Sequence, residues 1–390
     1  AGLGKAPTKS DPDIYDHQYS HCDVLVVGGG ISGIISAKLS AEKGLDTFLI
    51  DDKNFLGGST IYQENEAYKI NDIYSNEWLA KEIKSLKNYP NLIIKNRTSL
   101  AAFHGYNYLL ARENLTDHLS ISDRKNKIRQ RLWKIRAKKV IIASGSIERP
   151  LIFSNNDRPG IILSSSIKKY IDYYGVKTGE NISLFTNNDS AYETAISLNK
   201  SGVKVNVIVD IRKNSESLIV KEALDLGLKV LWESTVVETQ GYKKIKSFEV
   251  MKLSDDGNNV IGNKTKHNCD CLGISGGWTP MVHLFTQSGG KLKFRNEDNV
   301  FIPDQDKTPP NQISVGSCNG EFKLDEIVTR TIENLKSFLD LSKTCYDEMK
   351  INCPDEKSKR NIWLLPSDKP IGKTKPFLDF QNDSTAKDVK

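Results

Sequence analysis

The hydrophobic positions fall into two copies of one pattern: a short apolar run, a stretch of helical length, and a second apolar run. In the first copy, 24–27 reads as a buried parallel strand, 34–42 as a helix, and 47–50 as a strand ending on Asp51 and Asp52. In the second copy, strand 182–185, helix 191–200 and strand 204–209 ending on Asp210 repeat the order. Between the copies, runs at 92–95, 108–112 and 132–136 predict a meander of short strands inserted into the first unit. An apolar strand then ends in Ala143-Ser144-Gly145, where glycine allows a sharp turn, and the extended Arg149-Pro150 step leads away. Segments 269–292 and 311–339 are expected to bring the chain back to the first unit. The pattern predicts an α/β chain with two Rossmann-like domains.

The turn after the first strand carries Gly28, Gly30 and Gly33, the spacing of a dinucleotide-binding fingerprint. Glycines there let the backbone approach a pyrophosphate, and the helix that follows points its N-terminus at the anion. Asp51 lies 18 residues after Gly33, where a carboxylate accepts hydrogen bonds from an adenosine ribose. The same charge repels a 2′-phosphate, so FAD or NAD is favoured over NADP. The following Gly57-Gly58-Ser59 leans towards the two-dinucleotide-domain flavoproteins, in which a similar turn lies beside the cofactor.

The second copy has lost its glycines. Thr186-Asn187-Asn188-Asp189-Ser190-Ala191 stands where small residues would be needed, and Asp189 brings negative charge to the phosphate position. This predicts a scaffold without nucleotide. In two-domain flavoproteins the last strand of the first domain usually ends in Gly-Asp, whose carboxylate holds part of a flavin; here it ends in Gly316-Ser317, which weakens the case for FAD.

Composition narrows the class further. The 390 residues suit two to three domains, and 55 basic against 49 acidic residues leave a net charge of only +6. The basic run 124–139 alternates with Trp133, Ile135 and Ala137, the pattern of a half-exposed strand rather than a nucleic-acid surface. No run reaches the ~18 apolar residues of a membrane helix, and 1–13 lacks a signal-peptide core, so no membrane partner and a cytoplasmic location are expected. The six cysteines include no CxxC pair. Cys269 and Cys271 are expected on one face of a strand as packed thiols, and no metal site is expected. His21, His104, His118 and His283 lack an orienting partner, and no catalytic residue is assigned. Trp278 is open to two readings, a lid over a cofactor or a core aromatic.

At YDHQYSHCDVLVVGGG, RQRLWKIRAKKVIIASGSIERPLIFSNNDRPGI, TNNDSAYETA and SGGWTPMVHLFTQSGGKL the chain resembles the alpha subunit of heterotetrameric sarcosine oxidase, over essentially its whole length. The resemblance implies a fold of the FAD/NAD(P)-binding, pyridine nucleotide-disulfide oxidoreductase type. It implies NAD in this chain, FMN at a subunit interface and FAD in a partner, with FAD in this chain as the alternative. It also implies beta, gamma and delta subunits as partners, oxidative demethylation of sarcosine to glycine, electrons passing through flavins to dioxygen, and capture of the methylene by tetrahydrofolate. Carried onto this chain, the contacts fall on Gly28, Gly30 and Gly33 at the pyrophosphate and on Asp51, Asp52 and Lys53 at the ribose. Ser59 follows the Gly-Gly turn, Asn96 lies beside the adenine, and Ser317 near the nicotinamide.

The expected domains are a connector (1–20), a dinucleotide-binding domain (21–150 plus 271–345), an inserted second domain (151–270), and a linker with the start of a truncated aminomethyltransferase-like module (346–390). On this reading the chain is a fragment of a longer subunit, inactive alone. The alternatives are a free-standing NAD(P)H-dependent flavoprotein reductase or the alpha subunit of a related amine, proline or opine dehydrogenase.

Overall fold

A computed structural model describes residues 4–62, 67–355 and 360–389. The expected connector, linker and C-terminal module therefore fall partly outside the described residues. Two sheets, the first mixed with a parallel core and the second parallel, each covered by helices, confirm the two Rossmann-like units.

In the first sheet, β1 (Ile14–Val27) lies between β2 (Thr47–Ile50) and β6 (Ile128–Ile142), both parallel to it. Val24 to Val27 pair with Thr47 to Ile50 on one side and with Lys139 to Ile142 on the other. Strand pairing on both edges and helices on the faces explain why this run is continuously apolar rather than alternating. Helix α1 (Ile31–Glu42) and the long helix Leu324–Leu339 cover one face, burying Ile34, Ile35, Val328 and Leu335 in one core.

The inserted meander differs from expectation. β3 (Leu92–Lys95) is the parallel edge strand beside β2, so it belongs to the main sheet. The antiparallel part is β4 (Thr98–His104), β5 (Tyr108–Asn114) and the first half of β6. The runs at 132–136 and 138–142 are one strand, because nothing between them stops the ladder: β6 pairs with β5 over its first part and with Gln312–Ser314 at its end. The basic run on β6 is spent on ion pairs, Arg129 with Asp13 and Asp117 and Arg131 with Asp16. Buried Trp133 donates its indole N–H to Glu113 at 2.7 Å.

The second sheet is parallel throughout, ordered β7 (Ile161–Leu163), β11 (Cys271–Ser275), β8 (Ile182–Thr186), β9 (Val205–Asp210) and β10 (Val230–Leu231). Cys271–Ser275 was expected to return the chain to the first domain. It is instead the strand next to β8, and the crossing back comes only after it, where Trp278–Pro280 pairs with Ser146–Glu148 as a two-stranded bridge. The two cysteines also part company, because the chain bends at Asp270. Cys269 packs with Phe248 and Val250, whereas Cys271 packs with Ile182 and Tyr192. Burial pushes the Cys269 thiol up to about 12 and the Cys271 thiol up to about 11.

The stretch expected as linker folds back onto the second domain. Ile152 and Leu364 form a parallel bridge, Leu365 is buried, and the Trp363 indole donates to Gly276 O at 2.6 Å. Ile14 to Ser20, expected as connector, is part of β1. No helix among the described residues is long and apolar enough to cross a membrane.

Candidate functional site

Three strand ends meet at the glycine turn. Gly28 N donates to Ile50 O at 2.8 Å, Ala143 N to Val27 O at 2.8 Å, and Gly57 N to Gly29 O at 2.7 Å. The fingerprint glycines have three different jobs. A Cβ on Gly28 would lie 2.3 Å from Ala143 O, and its φ of +105° is one that side chains rarely adopt. A Cβ on Gly33 would strike Gly28 O at 1.8 Å, so this glycine lets α1 sit against the turn. A Cβ on Gly30 meets nothing within 4 Å. It would project into open space, and Gly58 approaches so closely that its own Cβ would be 3.0 Å from Gly30 Cα.

That space is a cavity of about 1100 Å³ between the two domains. Gly28, Gly30, Asp51, Asp52, Lys53, Ser59 and Ser317 line it, so the fold brings together seven of the nine site residues expected from sequence. Gly33 supports it from behind. Asn96 does not line it; its side-chain amide donates to Asn54 O at 3.2 Å and braces the loop after β2. Ser317 sits on the turn Gly316–Asn319, entered through Gly316 at φ +71°, where a Cβ would strike the Ser32 hydroxyl.

Gly30 caps α1 without a side chain, and the first turn of that helix carries no acid. Its positive end is therefore left for an anion. Asp51 is buried and both its oxygens take backbone donors, Gly29 N at 2.5 Å and Lys53 N at 2.7 Å. Burial pushes its carboxyl up, against the two amide hydrogen bonds that favour its charge. Each oxygen keeps acceptor capacity, so the same carboxylate can fix the loop and receive a sugar hydroxyl. Asp52 is exposed and pairs with Lys53 at 2.6 Å.

The equivalent turn in the second domain also lines the cavity, through Asn187, Asn188, Asp189 and Ser190, but it presents an acid where the first presents glycine. Asp189 begins the helix Ser190–Lys200, whose first turn also holds Glu193, so acids already face its positive end. Arg212 reaches Asp189 at 2.6 Å and Asp210 at 2.7 Å, and the Tyr192 hydroxyl donates to Asp210 at 2.7 Å. Asp210 ends β9 as Asp51 follows β2, yet it is fully buried under Arg212. Burial works against the Arg212 charge, but Asp210 and Asp189 outweigh it and hold the guanidinium above its ordinary value. Asn188 turns its amide onto Ser275 O at 3.2 Å.

Among the histidines named from sequence, His283 lines the cavity, whereas His21, His104 and His118 do not. Trp278 lines it too and donates to the Ser190 hydroxyl at 2.9 Å, tying the bridge strand to the second domain. No group of three His, Cys, Asp or Glu side chains among the described residues could hold a metal. Sequence reasoning missed Glu148 and Phe55, both cavity-lining residues. Neither belongs to a spacing motif; their signal is only their place, at the end of one connecting strand and after Asp51 and Asp52.

Comparison with known proteins agrees with this geometry. A model of the pyridine nucleotide-disulphide oxidoreductase family matches residues 22–315. Sarcosine oxidase subunit alpha from Corynebacterium sp. (strain U-96) is 31% identical over 395 residues, covering 100% of this chain and 40% of that protein. The subunit of the same description from Rhizobium meliloti (strain 1021) is 29% identical, covering 100% of this chain and 38% of that protein. The chain thus spans about two fifths of the length of these curated relatives, and the resemblance read from its motifs holds over its full length. Among solved structures, T. acidophilum thioredoxin reductase superposes with a TM-score of 0.61 at 19% identity, covering 82% of this chain and 97% of that one. L-proline dehydrogenase from P. horikoshii gives 0.58 at 20% identity, covering 81% and 54%. At these identities the likeness is one of fold.

Proposed function

The chain belongs to the pyridine nucleotide-disulphide oxidoreductase family, and from that premise we propose that it is the central part of a sarcosine oxidase-type alpha subunit that holds NAD. The observation that carries the reading is the contrast between the two fingerprints. Both turns line the cavity, but the first meets it with glycines at an uncapped helix start, whereas the second meets it with Asp189, held by Arg212 together with Asp210.

Gly28, Gly30 and the start of α1 would hold the pyrophosphate, with Asp51, Asp52 and Lys53 at the adenosine ribose and Ser59 and Ser317 along its length. Bound there, a nicotinamide dinucleotide can supply hydride chemistry. This chain's own residues exclude water from the turn, orient the cofactor and set its charge preference. The amine chemistry would then belong to the assembled oxidase: sarcosine demethylated to glycine, FAD in a beta-type subunit, FMN at the interface, dioxygen as acceptor, and gamma and delta subunits completing the complex.

The test is sarcosine-dependent peroxide release from the purified chain with NAD, FAD and FMN added, with and without a beta-type subunit. No turnover alone and turnover on reconstitution is expected. Sustained turnover by the single chain would contradict the proposal and favour a free-standing flavoprotein.

A further inference from the structure

The cavity continues from the glycine turn along the chain segment Ala143 to Arg149, all seven residues of which line it. Ser146–Glu148 is extended, so Glu148 stands about 10 Å beyond Gly145, towards the second domain. Its side chain is only 3% exposed. One carboxyl oxygen, Oε2, accepts the N–H of Ser165 at 2.7 Å in the first turn of the helix Ser164–Asp172. The other, Oε1, has no hydrogen-bond partner. Ser275, the hydroxyl at the neighbouring strand end, accepts from Asn188 at 3.1 Å and lies near enough to the Glu148 carboxyl to oppose its upward shift.

A buried carboxyl with one idle oxygen is costly unless something binds it. Oε2 is fixed on the helix and Glu148 lines the cleft, so Oε1 is the carboxyl oxygen left without a protein partner. We propose that Glu148 is the residue that recognises the ring end of the bound dinucleotide, its Oε1 hydroxyl donating to a carbonyl oxygen on that ring. The inference rests on the dinucleotide reading above. Burial pushes the Glu148 carboxyl up, against hydrogen bonds from Ser275 and Ser165, and so favours the neutral form that can donate. An ionised carboxylate would instead repel a carbonyl oxygen. Both nicotinamide, through its carboxamide, and isoalloxazine carry such an oxygen, so the shared chemistry is a ring carbonyl. On the NAD reading it is the carboxamide.

The experiment is a calorimetric titration of the wild-type chain, Glu148→Ala and Glu148→Gln with NAD, FAD and ADP-ribose, the last lacking any ring. Glu148→Ala should bind NAD about tenfold more weakly and ADP-ribose unchanged, which also shows that the variant is folded. Glu148→Gln, whose amide can still donate, should stay within about twofold of wild type for NAD. Equal weakening of NAD and ADP-ribose, or unchanged NAD affinity in Glu148→Ala, overturns the ring contact. The same pattern with FAD in place of NAD keeps the contact and reassigns the ring. If the wild type binds neither NAD nor ADP-ribose, the dinucleotide reading itself fails and takes this inference with it.

Discussion

Phe55 and Tyr173 stack across the two domains, ring centroids 4.5 Å apart and planes 28° from parallel. Phe55 follows Asp51, Asp52 and Lys53 in the first domain and lines the cavity; Tyr173 ends the helix Ser164–Asp172 of the second. The stack therefore bridges the cleft beside Asp51 and Asp52. An aromatic pair of this kind contributes ~0.5–1.5 kcal/mol beyond area burial. Phe55→Ala should speed dinucleotide release severalfold while leaving unfolding nearly unchanged, as read by stopped-flow displacement. An unaltered release rate would show that the stack does not gate the cleft.

The glycines separate folding from binding. Gly30→Val places its side chain in the open cavity and should yield a folded protein without measurable NAD affinity. Gly33→Ala drives a methyl into Gly28 O and should destabilise the fold by more than ~2 kcal/mol, because backbone must move. Circular dichroism melts and NAD titration distinguish them; tight binding by Gly30→Val would move the pyrophosphate elsewhere.

Arg212 tests the acid-bearing second turn. Replacing it by Met leaves Asp210 buried without its cation, a loss of about 3–5 kcal/mol. Denaturant unfolding should show this cost, with NAD affinity in the first site retained in the folded fraction. A variant as stable as wild type would mean the cluster adds nothing to the domain.

Glu148 gives a pH signature. In the unfolded chain its carboxyl loses a proton near the ordinary value of 4.5, but in the fold burial holds that proton to higher pH. Above 4.5 the folded state thus binds more protons than the unfolded one, and stability falls as pH rises until the folded carboxyl also ionises. Glu148→Gln lacks this slope. Its unfolding free energy relative to wild type should grow as pH rises above 4.5; a constant difference would contradict the raised carboxyl.

Much of this was readable from residues alone, for physical reasons. The run 24–27, the glycine spacing and the acids at 51 and 52 are local signals, so β1, α1, β2 and the glycine turn between them were legible. The missing glycines at 186–191 were legible too, and the acid that stands there, Asp189, is held by Arg212. What was not legible depended on pairing partners. Strand 92–95 looks like any short apolar run until β2 is known to have a free edge. Cys271–Ser275 could join either sheet, and only β8, with its matching buried register, decides. Asn96 sits at the right distance in sequence but braces Asn54. Glu148 reads as one acid in a polar step, and its burial and idle oxygen exist only once the second domain closes over it.

The most direct measurement is a titration of the purified chain with NAD, NADP and FAD under one set of conditions, with the absorbance spectrum of the protein recorded first. A colourless chain that binds NAD, and binds NADP at least tenfold more weakly because Asp51 and Asp52 face the 2′-phosphate, is the expected result. A chain that purifies yellow with FAD in this cleft, or binds NADP as tightly as NAD, would contradict it.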